Sequence, residues 1–125
     1  MFTSAPNMDE AKRIANHLVQ GKLAACVNII PQVVSVYEWD GKIDNSDEIL
    51  LMIKVRNTKM KVNNFNNFLS YQTRKTLALS VTAAIQKIHS YQLPESIALN
   101  IESKGSSSAF VQWILDSTAG QNSSK

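Results

Sequence analysis

Apolar residues recur along this chain with two different periods, and the changes between those periods divide it into elements. Ala11, Ile14, Ala15 and Leu18 fall at helical spacing behind Asn7 and Glu10, a capping-box pair, and Gly21 ends the run. The pattern predicts a helix over about Met8 to Gln20. Before it, Phe2 to Ala5 makes a short strand that Pro6 closes. Leu23 to Ile30 is almost unbroken apolar sequence up to Pro31, the pattern of a strand covered on both faces or lying against a partner. Val34, Val36 and Glu38 then alternate with Ser35, Tyr37 and Trp39 as far as Asp40-Gly41, a dipeptide suited to a tight hairpin, and Ile49 to Val55 supplies the returning strand.

Leu77, Val81, Ala84, Ile85 and Ile88 share one helical stripe, predicting a second helix from about Ala78 to His89. Pro94 must stop it, because proline lacks an amide donor and pushes Leu93 toward extended backbone. Ile97, Leu99 and Ile101 alternate with Ala98, Asn100 and Glu102, which predicts a final strand. Ser106 to Ser108 cap a third helix with Phe110, Trp113 and Ile114 facing inward, and Gly120 releases a polar tail over 121–125. Strand, helix, two strands, helix, strand is the ferredoxin-like split βαβ order, an α+β fold with both helices on one face of an antiparallel sheet. Its other face is apolar enough here to predict self-association through that face and the hairpin edges.

At 125 residues the chain makes one domain, over about 1–120. An asparagine-rich stretch (Asn63, Asn64, Asn66, Asn67) lengthens the link between strand and helix into an apparent insertion at about 60–78. The formal charge of +3 is mild and scattered, which argues against nucleic acid as a partner. Lys54, Arg56, Lys59 and Lys61 form the one basic concentration, a solvated strand end or an anion contact. No apolar run approaches the roughly 18 residues of a membrane span, so membrane insertion is not expected. A lone Cys26 and no secretory h-region favour a reducing, cytoplasmic setting. No phosphate-binding glycine loop, CxxC, HExxH or nucleophile–base pair is present, so neither catalysis nor an organic cofactor is expected.

Polar chemistry gathers instead at His89-Ser90-Tyr91-Gln92-Leu93-Pro94-Glu95. His89 and Glu95 could bind copper or zinc, with a neighbouring subunit completing a ligand set that two residues leave short. Alternatively, a charged His89 interacts with the helix C-terminus and Glu95 caps backbone amides. Cys26 reads as a packing thiol within an apolar strand, with a weaker reading as a soft metal ligand. Tyr37, Trp39 and Tyr91, with Lys54 and Glu95 as polar groups, could line a cleft between subunits that takes a small anion, or serve as interface anchors. His17 lies on the polar side of the first helix and receives no role.

Several long stretches, in order, resemble the CutA family of divalent-cation tolerance proteins: Ser4-Ala5-Pro6-Asn7, Leu23 through Pro31, Ser35 through Ile43, Ile53-Lys54-Val55-Arg56, His89 through Glu95, and Phe110-Val111-Gln112-Trp113-Ile114. The resemblance implies a ferredoxin-like subunit in a tight homotrimer, association with copper or other divalent cations and, in animal members, a link to acetylcholinesterase processing and hence a protein partner. Some bacterial members place a cysteine before the Thr-Ala-Pro motif and a second histidine beside the first. Here those positions hold Thr3 and Ile88, so the implied ligands that survive are His89 and Glu95. The segment from about Met60 to Ala78 has no counterpart of that length in the family. The reading that follows is a trimeric metal-associated binding protein, copper first. Its alternatives are a PII-like regulatory module that binds a small anionic ligand in inter-subunit clefts, and a trimeric adaptor for another protein.

Overall fold

In the computed structural model, which describes residues 1–56, 77–102 and 104–119, the Asn7 side chain accepts the Glu10 amide at 2.8 Å and opens helix α1, Met8–Gln20. Asp9 and Glu10 in its first turn complement the positive end of the helix. Strand β1 (Phe2–Ala5) precedes it, and β2 (Cys26–Trp39) and β3 (Lys42–Lys54) follow as a long hairpin. Asp40 and Gly41 both take positive φ, at 50° and 75°, as a two-residue turn matched to strand twist requires. Helices α2 (Leu77–Ile88) and α3 (Ser108–Ser117) complete the elements of the described residues. The sheet is antiparallel in the order β1-β3-β2, with β3 in the centre.

Ile30 pairs with Leu50 and Val33 with Glu48, so Pro31 and Gln32 together face Ile49 alone. This is a β-bulge. Proline fits there because the extra residue leaves the ladder and needs no amide partner, while Gln32 takes a left-handed φ of 63°. The bulge reverses the parity of β2. Val27 and Ile29 pack against the helices before it, and Val34 and Val36 keep to that same side after it. Tyr37 and Trp39 therefore face away from the helices, together with Ser4, Glu48 and Lys54.

Both long helices cover one face. Ile14 and Leu18 of α1 and Val81 and Ile85 of α2 close over Ala5, Leu51 and Ile53, none more than 1% exposed. Each large aliphatic side chain buried there contributes on the order of 1.5–3 kcal/mol. β1 spans only residues 49–52 of β3, so the hairpin beyond Glu48 is a two-stranded arm.

Four expectations change. The strand expected over Ile97 to Glu102 is reduced to a single antiparallel bridge between Phe2 and Ile97, with N–H···O distances of 2.8 and 3.0 Å. Beyond that bridge Leu99 and Ile101 stay exposed. β2, expected to be covered on both faces or to lie against a partner, is covered on one face by the described residues, and Asn28 and Ile30 on its other face are exposed. Cys26, expected as a buried packing thiol, is half-buried at the start of β2 on that open face. Phe110 and Trp113 stack on each other with centroids 5.5 Å apart and remain exposed, leaving Ile114 as the buried contact of α3. The expected insertion at about 60–78, except its last two residues, lies outside the described residues, as do Lys59, Lys61, Gly120 and the tail 121–125. Among the described residues no helix is long and apolar enough to cross a membrane.

Candidate functional site

Glu48 lies where the arm leaves the sheet, on the open face, and is 7% exposed. Its Oε1 accepts the Tyr91 hydroxyl at 2.8 Å and the Ser4 hydroxyl at 3.2 Å, and its Oε2 accepts the Ser35 hydroxyl at 2.5 Å. The ladder supplies two of these donors. Ser4 pairs with Leu50 and Ser35 with Ser46, each two residues along β3 from Glu48 on the same face. Tyr91 arrives from the turn after α2. A carboxylate this buried costs several kcal/mol unless hydrogen bonds replace its water, and these donors do so. Burial, reinforced by the bond to Glu48, pushes the Tyr91 phenol up to about 12.

His89 sits two residues away from Tyr91, with its side chain fully buried. The Tyr91 amide donates to Nδ1 at 3.0 Å, which places the ring proton on Nε2, and Nε2–H donates to the Ser4 carbonyl at 2.7 Å. The Glu10 carboxylate lies 3.5 Å from Nδ1 and accepts the Ser90 amide at 2.8 Å. Burial works to raise the Glu10 carboxyl, but the Ser90 hydrogen bond, His89 and Arg13 outweigh it and leave the group below its ordinary value. One continuous polar chain thus runs from α1 through the turn to β1, β3 and β2.

The other predicted residues scatter. Tyr37, Trp39 and Lys54 share the open face with Glu48. Tyr37 lies close enough to Tyr91 to help raise its phenol, but Lys54 sits at the opposite end of β3, where burial, helped by the Lys54 charge, lowers the Met1 ammonium. β3 is 13 residues long, about 40 Å at a rise of roughly 3.3 Å per residue, and Trp39 and Lys54 lie near its two ends. A cleft holding both therefore needs a second subunit. Glu95 is exposed, and its main-chain carbonyl accepts the Thr3 hydroxyl at 2.7 Å. An open groove of about 440 Å³ at the root of the arm is lined by Glu48 itself with Pro6, Pro31, Gln32, Val34, Asp47 and Ile49. None of the predicted site residues lines it. Glu48, Ser4, Ser35 and Glu10 were not singled out by the sequence as site residues.

The sequence profile of the family described as CutA1 divalent ion tolerance protein matches residues 1–65 and 63–117. The chain belongs to that family. A relative named Protein CutA, chloroplastic, from Arabidopsis thaliana is 38% identical over 94% of this chain and 54% of its own length. The chain thus spans about half the length of that relative. The structure of the periplasmic divalent cation tolerance protein CutA from Archaeoglobus fulgidus superposes with a TM-score of 0.75 at 31% identity, covering 94% of each chain. The PII-like protein CutA from Nostoc sp. PCC 7120 in apo form superposes at 0.73 with 26% identity, over 94% of this chain and 93% of that one. The α+β ferredoxin-like class is therefore that of solved CutA structures. The last two are named for tolerance to divalent cations and as PII-like, and none of the three is named for a reaction.

The family name implies a divalent cation, and the donors of one CutA1-type subunit do not fit one. Both ring nitrogens of His89 are occupied within a fully buried side chain. Thr3 and Ile88 stand where further ligands were implied, and the Thr3 hydroxyl is bonded to the Glu95 carbonyl. Cys26 pairs with Lys54 at the far end of the sheet. Among the described residues, no three His, Cys, Asp or Glu side chains converge to hold an ion.

Proposed function

We propose that this chain is the subunit of a homotrimeric binding protein acting in divalent-cation tolerance, with copper the first ion to test. Its working surface is the sheet face opposite the helices, where copies meet. The arm carries this reading. Val34, Val36 and Ile43 are 61–74% exposed on one side of it and Trp39 is 56% exposed on the other. An isolated two-stranded hairpin is marginal in water, and an arm apolar on both sides is suited to lie between other chains. Contact with an ion then belongs to the assembly and not to the donors of one subunit. A reducing, cytosolic setting is part of the proposal and is supported by the lone thiol Cys26.

A second reading, a PII-like module binding a small ligand between subunits, is favoured by the likeness to the Nostoc protein and by Tyr37, Trp39, Lys54 and Glu48 sharing one face. Light scattering coupled to size exclusion, with and without copper, tests the assembly. A stable trimer supports the proposal, and a monomer at micromolar concentration refutes it. Thermal shifts across a panel of nucleotides and small carboxylates then separate the readings: a saturable shift with an anion favours the second, and a flat panel with saturable copper binding favours the first.

A further inference from the structure

We infer that His89 is a positioning residue, a hydrogen-bonding pin that locks the turn after α2 onto β1, and is not a ligand of a resident metal. A metal-binding imidazole must offer a nitrogen lone pair. In this ring Nε2 carries the proton given to the Ser4 carbonyl at 2.7 Å, and the Nδ1 lone pair is taken by the Tyr91 amide at 3.0 Å. No part of the side chain is exposed, so an ion cannot reach it without opening the turn. The positions that would have to help are Thr3, whose hydroxyl is spent on the Glu95 carbonyl, and Ile88, packed against the core.

The pin has a definite output. Its acceptor is the carbonyl of Ser4, whose hydroxyl donates to Glu48, and its own donor is the amide of Tyr91, whose phenol donates to the same Glu48 oxygen. Holding these two backbones in register sets both hydroxyls on Oε1. The tilted packing of the imidazole on the Tyr91 ring, with centroids 4.8 Å apart, fixes the remaining freedom of the phenol. The pin needs one subunit only, and holds whether or not copies assemble or the assembly binds an ion.

Two variants and one spectrum test it. Glutamine places an amide N–H near the position of Nε2 and is a poor metal ligand, so His89→Gln should recover most of the melting temperature that His89→Ala loses, about 5–10 °C. In ¹⁵N spectra of the wild type, the His89 ring should show the Nε2–H tautomer with a slowly exchanging proton. Addition of Zn²⁺ should leave its shifts unmoved, and Zn²⁺ affinity by calorimetry, where measurable, should agree within about twofold among the three proteins (below ~0.4 kcal/mol). A ring signal that moves with Zn²⁺, or Zn²⁺ binding lost in both variants, overturns the inference. So does a His89→Gln protein no more stable than His89→Ala.

Discussion

Removing the Tyr91 hydroxyl, as Tyr91→Phe, takes one donor from a carboxylate that is 7% exposed and leaves Oε1 with Ser4 at 3.2 Å, the long end of the bonding range. Hydrogen bonds to charged groups are worth roughly 1.5–3 kcal/mol net. The phenol is only half-buried, so water can partly replace it, which puts the expected loss at about 1.5–2 kcal/mol. At about 4 °C per kcal/mol for a domain of this size, the melting temperature should fall by about 6–8 °C. Urea unfolding should be compared at one protein concentration, because the proposed assembly would add stability by mass action. The charge-specific part follows from a double-mutant cycle. In a Glu48→Gln background the same substitution should cost only about 0.5–1 kcal/mol, a coupling of about 1 kcal/mol. A Tyr91→Phe protein within about 0.5 kcal/mol of wild type, or a cycle without coupling, would refute the view that Glu48 organises the root of the arm.

The same phenol makes a pH prediction. Its folded value of about 12 lies above the ordinary 10, so the folded protein keeps the proton longer. The associated stability is intact below pH 10 and is lost as pH rises from 10 toward 12; alkaline unfolding of wild type should therefore be steeper in that window than that of Tyr91→Phe. At the bulge, Gln32 holds φ at 63°. Gln32→Gly should leave stability unchanged or raise it by up to about 1 kcal/mol, and Gln32→Val should lower it by about 1–2 kcal/mol, both read from denaturant midpoints. Equal effects of the two would show that the backbone there is not left-handed.

Local signals explain why much of the fold was legible. The Asn7 cap, the stripe behind it and the Asp40-Gly41 turn act within a few residues, and each appears where its chemistry demands. The clamp was not legible in that way. Glu48 stands in a polar stretch from Asp44 that reads as solvated, and its partners Ser4 and Tyr91 are 44 and 43 residues distant. One trace was present: Pro31, which has no amide to give a ladder, interrupts the apolar run of β2 between Ile30 and Val33. That marks a bulge, and with it the face on which Tyr37 and Trp39 lie. His89 was found as a residue, but its partners decide its chemistry, and the Ser4 carbonyl is 85 residues away. The final strand failed for a tertiary reason, since alternation describes a face to be buried and β1 provides a partner for one residue of it.

The hairpin also sets an order of events. Its closing pair, Trp39 with Lys42, is local in sequence, whereas Phe2 must find Met52 and Tyr91 must find Glu48. Hairpins form in about 1–10 μs, far ahead of pairings that close long loops. The arm is therefore zipped early, with apolar side chains on both sides and the open edge of β2 still seeking a partner. In the proposed assembly, encounter between copies and unwanted edge-to-edge addition would compete for the same intermediate. Yield on refolding should consequently depend on protein concentration in both directions, falling at high concentration through aggregation and at low concentration because arms wait unprotected for each other.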